Sequence, residues 1–354
     1  MSLFSNIIGR SLMIVYTSEK HKSYKRGKML LLNKDEIRSV FTMKDAIETD
    51  KKCYRMFSEG KFDVPLRAVI NGSKGNFLFM PAYSEEMGSA GLKIVNIMPN
   101  NPSKGLPASI GQVLLIDGET GLVKALMDGT YVTALRTAAA SGAAFDLLGV
   151  KNARIGAMIG TGSQAMCQLE AMLTARPLKE VRVAARDFEK TKAFVEKARA
   201  EMSSYGAEII ACADTNEAVR DADLVILVTV SGTPVCSAEY FKPGCTISAV
   251  GAYTYDMQEL DPAVFAKCAK IYFDSEDAVL SESGDILRPL DEGTLSREQF
   301  TGDIGDCILG RIPGRESDDE IIVFENVGIG ALDLMAADSI YKKACGAGIG
   351  TVWE

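Results

Sequence analysis

The chain has 354 residues, 47% of them hydrophobic, enough to bury a large core, and its length suggests two domains. A formal net charge of −8 argues against a nucleic-acid surface and predicts no steering of polyanions. No apolar run approaches the ~18 residues that span a bilayer, and the eight cysteines include no C-x-x-C pair; neither zinc site nor disulfide framework is indicated, only reduced thiols of a cytoplasmic protein.

Residues 1–16 are fairly apolar but carry Arg10, and Lys20, Lys22, Lys25, Arg26 and Lys28 follow them, the reverse of signal-peptide order. Residues 1–28 therefore read as an extension that adds a strand, a helix or an arm. Residues 33–37 and 43–59 read as helices with Asn33 and Thr42 as N-caps. Strands are expected at 77–80, 91–97 and 112–116, and residues 117–121 form the turn of a β-hairpin that continues to 127. A helix of apolar and small residues spans 131–148.

From there the pattern alternates. The apolar run 155–159 enters Gly160-Thr161-Gly162-Ser163-Gln164-Ala165, followed by a helix at 165–175, a strand at 181–184 and a helix at 188–202. Short strands at 209–210, 224–228, 246–250 and 271–273 follow, with a short helix at 217–220, and the run 328–344 is again helical. Strands alternating with helices call for a parallel sheet covered on both faces, so the fold class is α/β. The ends of the chain, 29–135 and 320–354, build one α+β domain around an inserted Rossmann unit at 136–319.

The glycine loop carries the first chemistry. A strand delivers Gly160 to a turn too tight for a side chain, and Gly162 lets the backbone approach a pyrophosphate. Ala165 lets the helix pack on its strand, and the free N–H groups of that helix, with Ser163 and Gln164 at its entrance, face the anion. The only histidine is His21, in the extension, so acid–base work falls to Lys, Asp, Glu, Tyr or water. Arg136, at the start of a small-residue helix, either holds a carboxylate bidentately or makes a surface ion pair. Lys93, in an otherwise apolar strand, either snorkels outward or faces a cleft. Arg67, after Pro65-Leu66, has no periodicity to place it.

Taken in order, these segments resemble the ornithine cyclodeaminase/μ-crystallin family. The matching pieces are Pro65-Leu66-Arg67, Met80-Pro81, Gly91-Leu92-Lys93, Gly105-Leu106-Pro107 with Gly111, and Asp117 with Thr120-Gly121. Arg136-Thr137-Ala138-Ala139, the glycine loop, Glu259-Leu260-Asp261, Pro313-Gly314-Arg315 and Phe324-Glu325-Asn326-Val327-Gly328 complete the set. The resemblance implies a homodimer, each subunit joining a dimerisation/substrate domain to an inserted Rossmann NAD(P)-binding domain. It implies that Arg67, Lys93 and Arg136 surround the carboxylate of a small amino or imino acid, with Met80 and Tyr253 beside it and Lys93 placed for proton transfer. Thr137 and Asn326 join the glycine loop as cofactor contacts, with no metal, nucleic acid or membrane involved.

Two departures narrow the activity. The cyclodeaminases place an acid two positions before the Met-Pro pair and an aspartate upstream of the Glu-Leu pair, to hold and activate a terminal amine; here these are Leu78 and Tyr253, with Asp256 three residues on. The reading is therefore an NAD(P)-dependent oxidoreductase of a C–N bond, a ketimine reductase or amino-acid dehydrogenase. The alternatives are ornithine cyclodeaminase and a μ-crystallin-like NADPH- or ligand-binding protein without turnover. Where NAD sites end their second strand with an acid, this chain has Ala185-Arg186, which suits a 2′-phosphate and favours NADP(H) over NAD(H). Asp187 next to it either binds the ribose or caps the next helix, and Thr229 and Ser231 either lie near the cofactor or only end a strand.

Overall fold

Asn33 and Thr42 each cap a helix in the computed structural model, which describes residues 28–354. Both form reciprocal capping boxes, with Glu36 and Asp45 reaching back to the cap N–H, an arrangement worth about 1 kcal/mol per cap. These helices, α1 (Lys34–Val40) and α2 (Met43–Ser58), follow β1 (Met29–Leu32). Then come β2 (Ala68–Gly72), β3 (Gly75–Ser84), β4 (Ser89–Ile97), β5 (Ser109–Asp117) and β6 (Val123–Asp128). With β15 (Thr351–Trp353) they form a seven-stranded sheet in the order β15-β1-β6-β5-β4-β3-β2. The expected hairpin is the antiparallel β5–β6 pair.

One face of this sheet packs on α10 (Gly330–Ala347) and on α3 (Gly129–Leu148), with α2 behind those helices. The other carries a cross-strand row, Leu31, Leu126, Leu114, Leu92 and Pro81, each beside the next in the ladder and each only half-buried.

The second sheet is wholly parallel. Its strands are β7 (Ile155–Ile159), β8 (Glu180–Ala184), β9 (Glu208–Cys212), β10 (Leu224–Leu227), β11 (Thr246–Ala249), β12 (Cys268–Phe273), β13 (Phe300–Asp303) and β14 (Ile321–Glu325). The order is β13-β12-β14-β11-β10-β7-β8-β9, which puts the switch of strand order between β7 and β10, where open α/β sheets bind their ligands. Helices α4 (Ala165–Ala175), α5 (Phe188–Glu201) and α6 (Thr215–Val219) connect the first half. The second half carries α7 (Glu276–Glu282), α8 (Gly284–Asp291) and α9 (Ile304–Ile308).

The expected boundary at 319/320 is corrected here. β14 was assigned to the outer domain, yet it lies inside the parallel sheet between β11 and β12. Its five residues are all buried, as a central parallel strand requires, and the crossing back to the outer domain follows it.

Helix α3 (Gly129–Leu148) joins the two units and is buried on nearly every side. Its small residues permit that closeness: a Cβ on Gly142 would sit 2.5 Å from the Cδ1 of Ile47 in α2. Among the described residues no helix is long and apolar enough to cross a membrane. Cysteines 53, 236 and 245 are buried, the other five half-buried, and all are free thiols. His21 and most of the expected extension lie outside the described residues.

Candidate active site

β7 runs into Gly160, whose φ of 121° only glycine adopts readily; a Cβ there would also meet the carbonyl oxygen of Val228 at 2.5 Å. Gly162 differs, because a Cβ there would have nothing within 4 Å. Nothing in the protein itself demands that glycine, which faces open space. The first turn of α4 has no side-chain cap; the Ala165 N–H donates to the carbonyl of Gly162 at 3.1 Å, and the N–H groups after it meet no capping side chain. Gly160, Gly162, Ser163 and Gln164 line a cavity of about 510 Å³ together with Thr229 and Ser231 beyond β10. Ala165 is fully buried, packing α4 on its strand.

Arg186 is exposed on the rim of this cavity beside Ala185. Asp187 caps α5, accepting the N–H of Lys190 at 3.1 Å. Thr137 and Asn326 are buried and do not line the cavity. Each keeps a side-chain atom without a partner, Oγ1 and Nδ2 respectively, as does Gln164 at Oε1. A buried orphan costs about 1–3 kcal/mol, and of the three only Gln164 lines the cavity, where a bound dinucleotide would supply a partner.

Arg136 does not stand at a helix start: α3 begins at Gly129, and Arg136 lies inside it, 4% exposed. That excludes the surface ion pair. Its Nε donates to Oδ1 of Asp333 at 3.0 Å, while Nη1 is buried with no partner. Lys93 does not snorkel outward either. It is 1% exposed, with Nζ 2.7 Å from Oδ2 of the same Asp333. Burial and the nearby Arg136 charge pull its ammonium down to about 7, against the opposing pull of Asp333.

Gly328 connects these to Arg67. With φ at +81°, it lies so close to Arg136 that a Cβ would fall 2.2 Å from Nη1. Arg67 Nη2 donates to the carbonyls of Val327 and Gly328 at 3.0 and 3.1 Å. The three cations are thus gathered around Gly328 and the start of α10, where Asp333 lies. Met80, buried, pairs across the strands with Lys93. Half-buried Tyr253 lines the glycine-loop cavity and a neighbouring one with Leu78, and Asp256 is exposed.

Sequence reasoning missed Asp333 and Asp50. Asp333 interrupts the apolar run from Ala331 to Ala337, a readable signal of a buried charge. Asp50 sits on the stripe formed by Met43, Ala46, Ile47, Cys53 and Tyr54, where an apolar residue is expected. It is fully buried with neither oxygen partnered, and burial holds its carboxyl well above the usual range, with Arg136 pulling the other way.

A set of buried acids lies behind the cleft. Glu259 accepts the N–H of Thr229 and, at 2.6 Å, of Gly251, fixing two loops of the cavity wall. Asp285 accepts from Glu259 and Leu260, and Asp274 from Gly328 at 2.7 Å. Burial pushes Glu259 up to about 8 and Asp274 to about 7, and raises Asp285 and Glu325 as well. Unfolded, such groups titrate near pH 4, so between there and about pH 8 the folded state binds more protons. Their stabilisation is complete at low pH and is lost as pH rises through 7 to 8. Lys93, lowered to about 7, contributes the opposite slope only above that value. The melting temperature should therefore fall from pH 5 to pH 8, and Glu259→Gln should flatten the fall. A flat or rising wild-type curve would remove these protonated acids.

The chain matches the model of the ornithine cyclodeaminase/mu-crystallin family over residues 27–348. It belongs to that family. Across 92% of its length it is 34% identical to the whole of a Delta(1)-pyrroline-2-carboxylate reductase of Bacillus cereus. The Thermococcus litoralis enzyme of the same name, solved with NADH and L-proline, superposes with a TM-score of 0.87 at 34% identity, covering 91% of this chain and 99% of that one. An archaeal alanine dehydrogenase dimer with bound NAD gives a TM-score of 0.84 at 33% identity, covering 92% and 99%. With a nucleotide cleft of this form and such relatives, this family member is an NAD(P)-dependent oxidoreductase.

Proposed function

We propose that the protein reduces the C=N bond of a small cyclic α-imino acid such as Δ1-pyrroline-2-carboxylate. The observation that carries this is the gathering of Arg67, Lys93 and Arg136 around Gly328 and Asp333, with Arg67 on a cavity that shares Tyr253 with the glycine-loop cavity. A carboxylate-bearing substrate needs such cations, and Arg136 keeps a buried Nη1 for it. Reduction adds a hydride to carbon and a proton to nitrogen, and Lys93, near neutrality, is suited to give the proton. A reduced nicotinamide held by the glycine loop supplies the hydride. Asp333 keeps the Lys93 ammonium charged and in place. Leu78 and Tyr253 stand where the cyclodeaminases place the two carboxylates that hold and activate a terminal amine, which disfavours cyclodeamination.

Exposed Arg186 beside Ala185, with Asp187 used as a helix cap, favours NADP(H) over NAD(H). The half-buried leucine row on the outer face of the seven-stranded sheet suits self-association into a homodimer. Purified protein should oxidise NADPH steadily with Δ1-pyrroline-2-carboxylate, at a higher kcat/KM than with NADH, while eluting as a dimer. Ammonia release from ornithine without net cofactor change would replace this reading with the lyase, and cofactor binding without turnover across imino and amino acids would make it a binding protein. An NADH preference would withdraw Arg186 alone.

A further inference from the structure

Arg67 and Glu282 meet across the two units. Arg67 lies before β2 in the outer domain, and Glu282 ends α7 in the nucleotide-binding unit. Arg67 Nε is 2.8 Å from Oε1 of Glu282, with the two side chains 14% and 16% exposed. Together with the carbonyls of Val327 and Gly328 on Nη2, this fixes the guanidinium plane from two directions. Nη1 has no partner among the described residues.

The pair also stands between two cavities. One, of about 450 Å³, holds Met80 and Gly328; the other, of about 420 Å³, holds Leu78 and Tyr253. Leu66, Arg67 and Glu282 border both. The second oxygen of Glu282, Oε2, is buried with no partner. An orphan carboxylate oxygen in a cleft that receives carboxylates is unfavourable twice over, through desolvation and through repulsion of the substrate. Stability alone does not account for it.

We infer that Glu282 is a positioning residue for the substrate carboxylate: reaching from the nucleotide-binding unit, it locks the guanidinium of Arg67 so that Nη1 is kept for the substrate. This rests on Arg67 being a carboxylate anchor. Position and charge make opposite claims here. If Glu282 acts only through its charge, removing it makes the cleft more positive and lowers KM. If it positions Arg67, removing it frees a long side chain that must be ordered again on binding, and KM rises.

The test measures kcat and KM of Glu282→Gln and Glu282→Ala with the imino acid that the wild type reduces, alongside cofactor Kd and thermal melts. Gln keeps an acceptor for Nε, so its KM should rise less than that of Ala, for which about tenfold or more is expected. In both, kcat should stay within about threefold and cofactor Kd should not move. An unchanged or lower KM overturns the inference, as does an equal loss in kcat. Should the Ala variant melt early, the near-isosteric Gln variant decides. A wild type that reduces no α-imino acid sinks the functional reading instead, before any variant is compared.

Discussion

Lys93→Met should lower kcat for imino-acid reduction by about a thousandfold while leaving the fold and the cofactor affinity intact. Methionine matches the apolar stem of a lysine that is 1% exposed, so the strand keeps its packing. What is lost is the proton donor and one of three cations. Because burial and Arg136 bring Lys93 to about 7, its protonated fraction changes within the working range. In the reductive direction the ammonium is the active form, so kcat/KM should fall tenfold per unit above about pH 7. In the oxidative direction the neutral amine is needed, and kcat/KM should rise through the same value. Lys93→Arg keeps the charge but cannot shed the proton, so its residual activity should lack the limb. Profiles of wild type and variant that run parallel in both directions would take the proton from another group.

The legible part of this molecule was the part in which local chemistry decides local structure. Gly160 through Ala165 could be placed because strand, turn and helix each leave their own residue types. The caps at Asn33 and Thr42 and the turn at 117–121 are of the same kind. The boundary missed β14 because an apolar run of four residues before Glu325 does not say which sheet accepts it; that follows from β11 and β12 leaving a gap between them. β1, β2, β13 and β15 escaped notice because three to five residues are too few for a period of two to show, and all but β1 are sheet edges.

At the site, positions came through and partners did not. By their residues alone Arg136 could make a surface ion pair, Lys93 could snorkel outward and Arg67 had no placement; the carboxylate role came from the family resemblance. The fold gives each an internal carboxylate: Asp333 for Lys93 and Arg136, Glu282 for Arg67. Those acids come from α10 and α7, far along the chain, and no spacing rule connects them. A charge on an apolar helical stripe, as at Asp50, was the one signal available and was passed over.

Asp333→Ala should be the most damaging single change in stability, costing about 3–5 kcal/mol near pH 6, because it strands two buried cations at once. The pH dependence of that cost separates counter-charge from mere packing. Well below 7, under the lowered value that Lys93 takes once Asp333 is gone, both Lys93 and Arg136 are charged and unpaired and the penalty is complete. As pH rises, Lys93 can give up its proton and only Arg136 remains stranded, so the variant should lose less against wild type at pH 8.5 than at pH 6. Asp333→Asn keeps the shape and one acceptor and should lie between. Because Asp333 holds the Lys93 value up, either variant should move the reductive limb to lower pH. Melting curves at two pH values, paired with the kcat/KM profile, test both halves together. A stability loss independent of pH, with the limb unmoved, would reduce Asp333 to a packing residue and leave Lys93 to be held by something else.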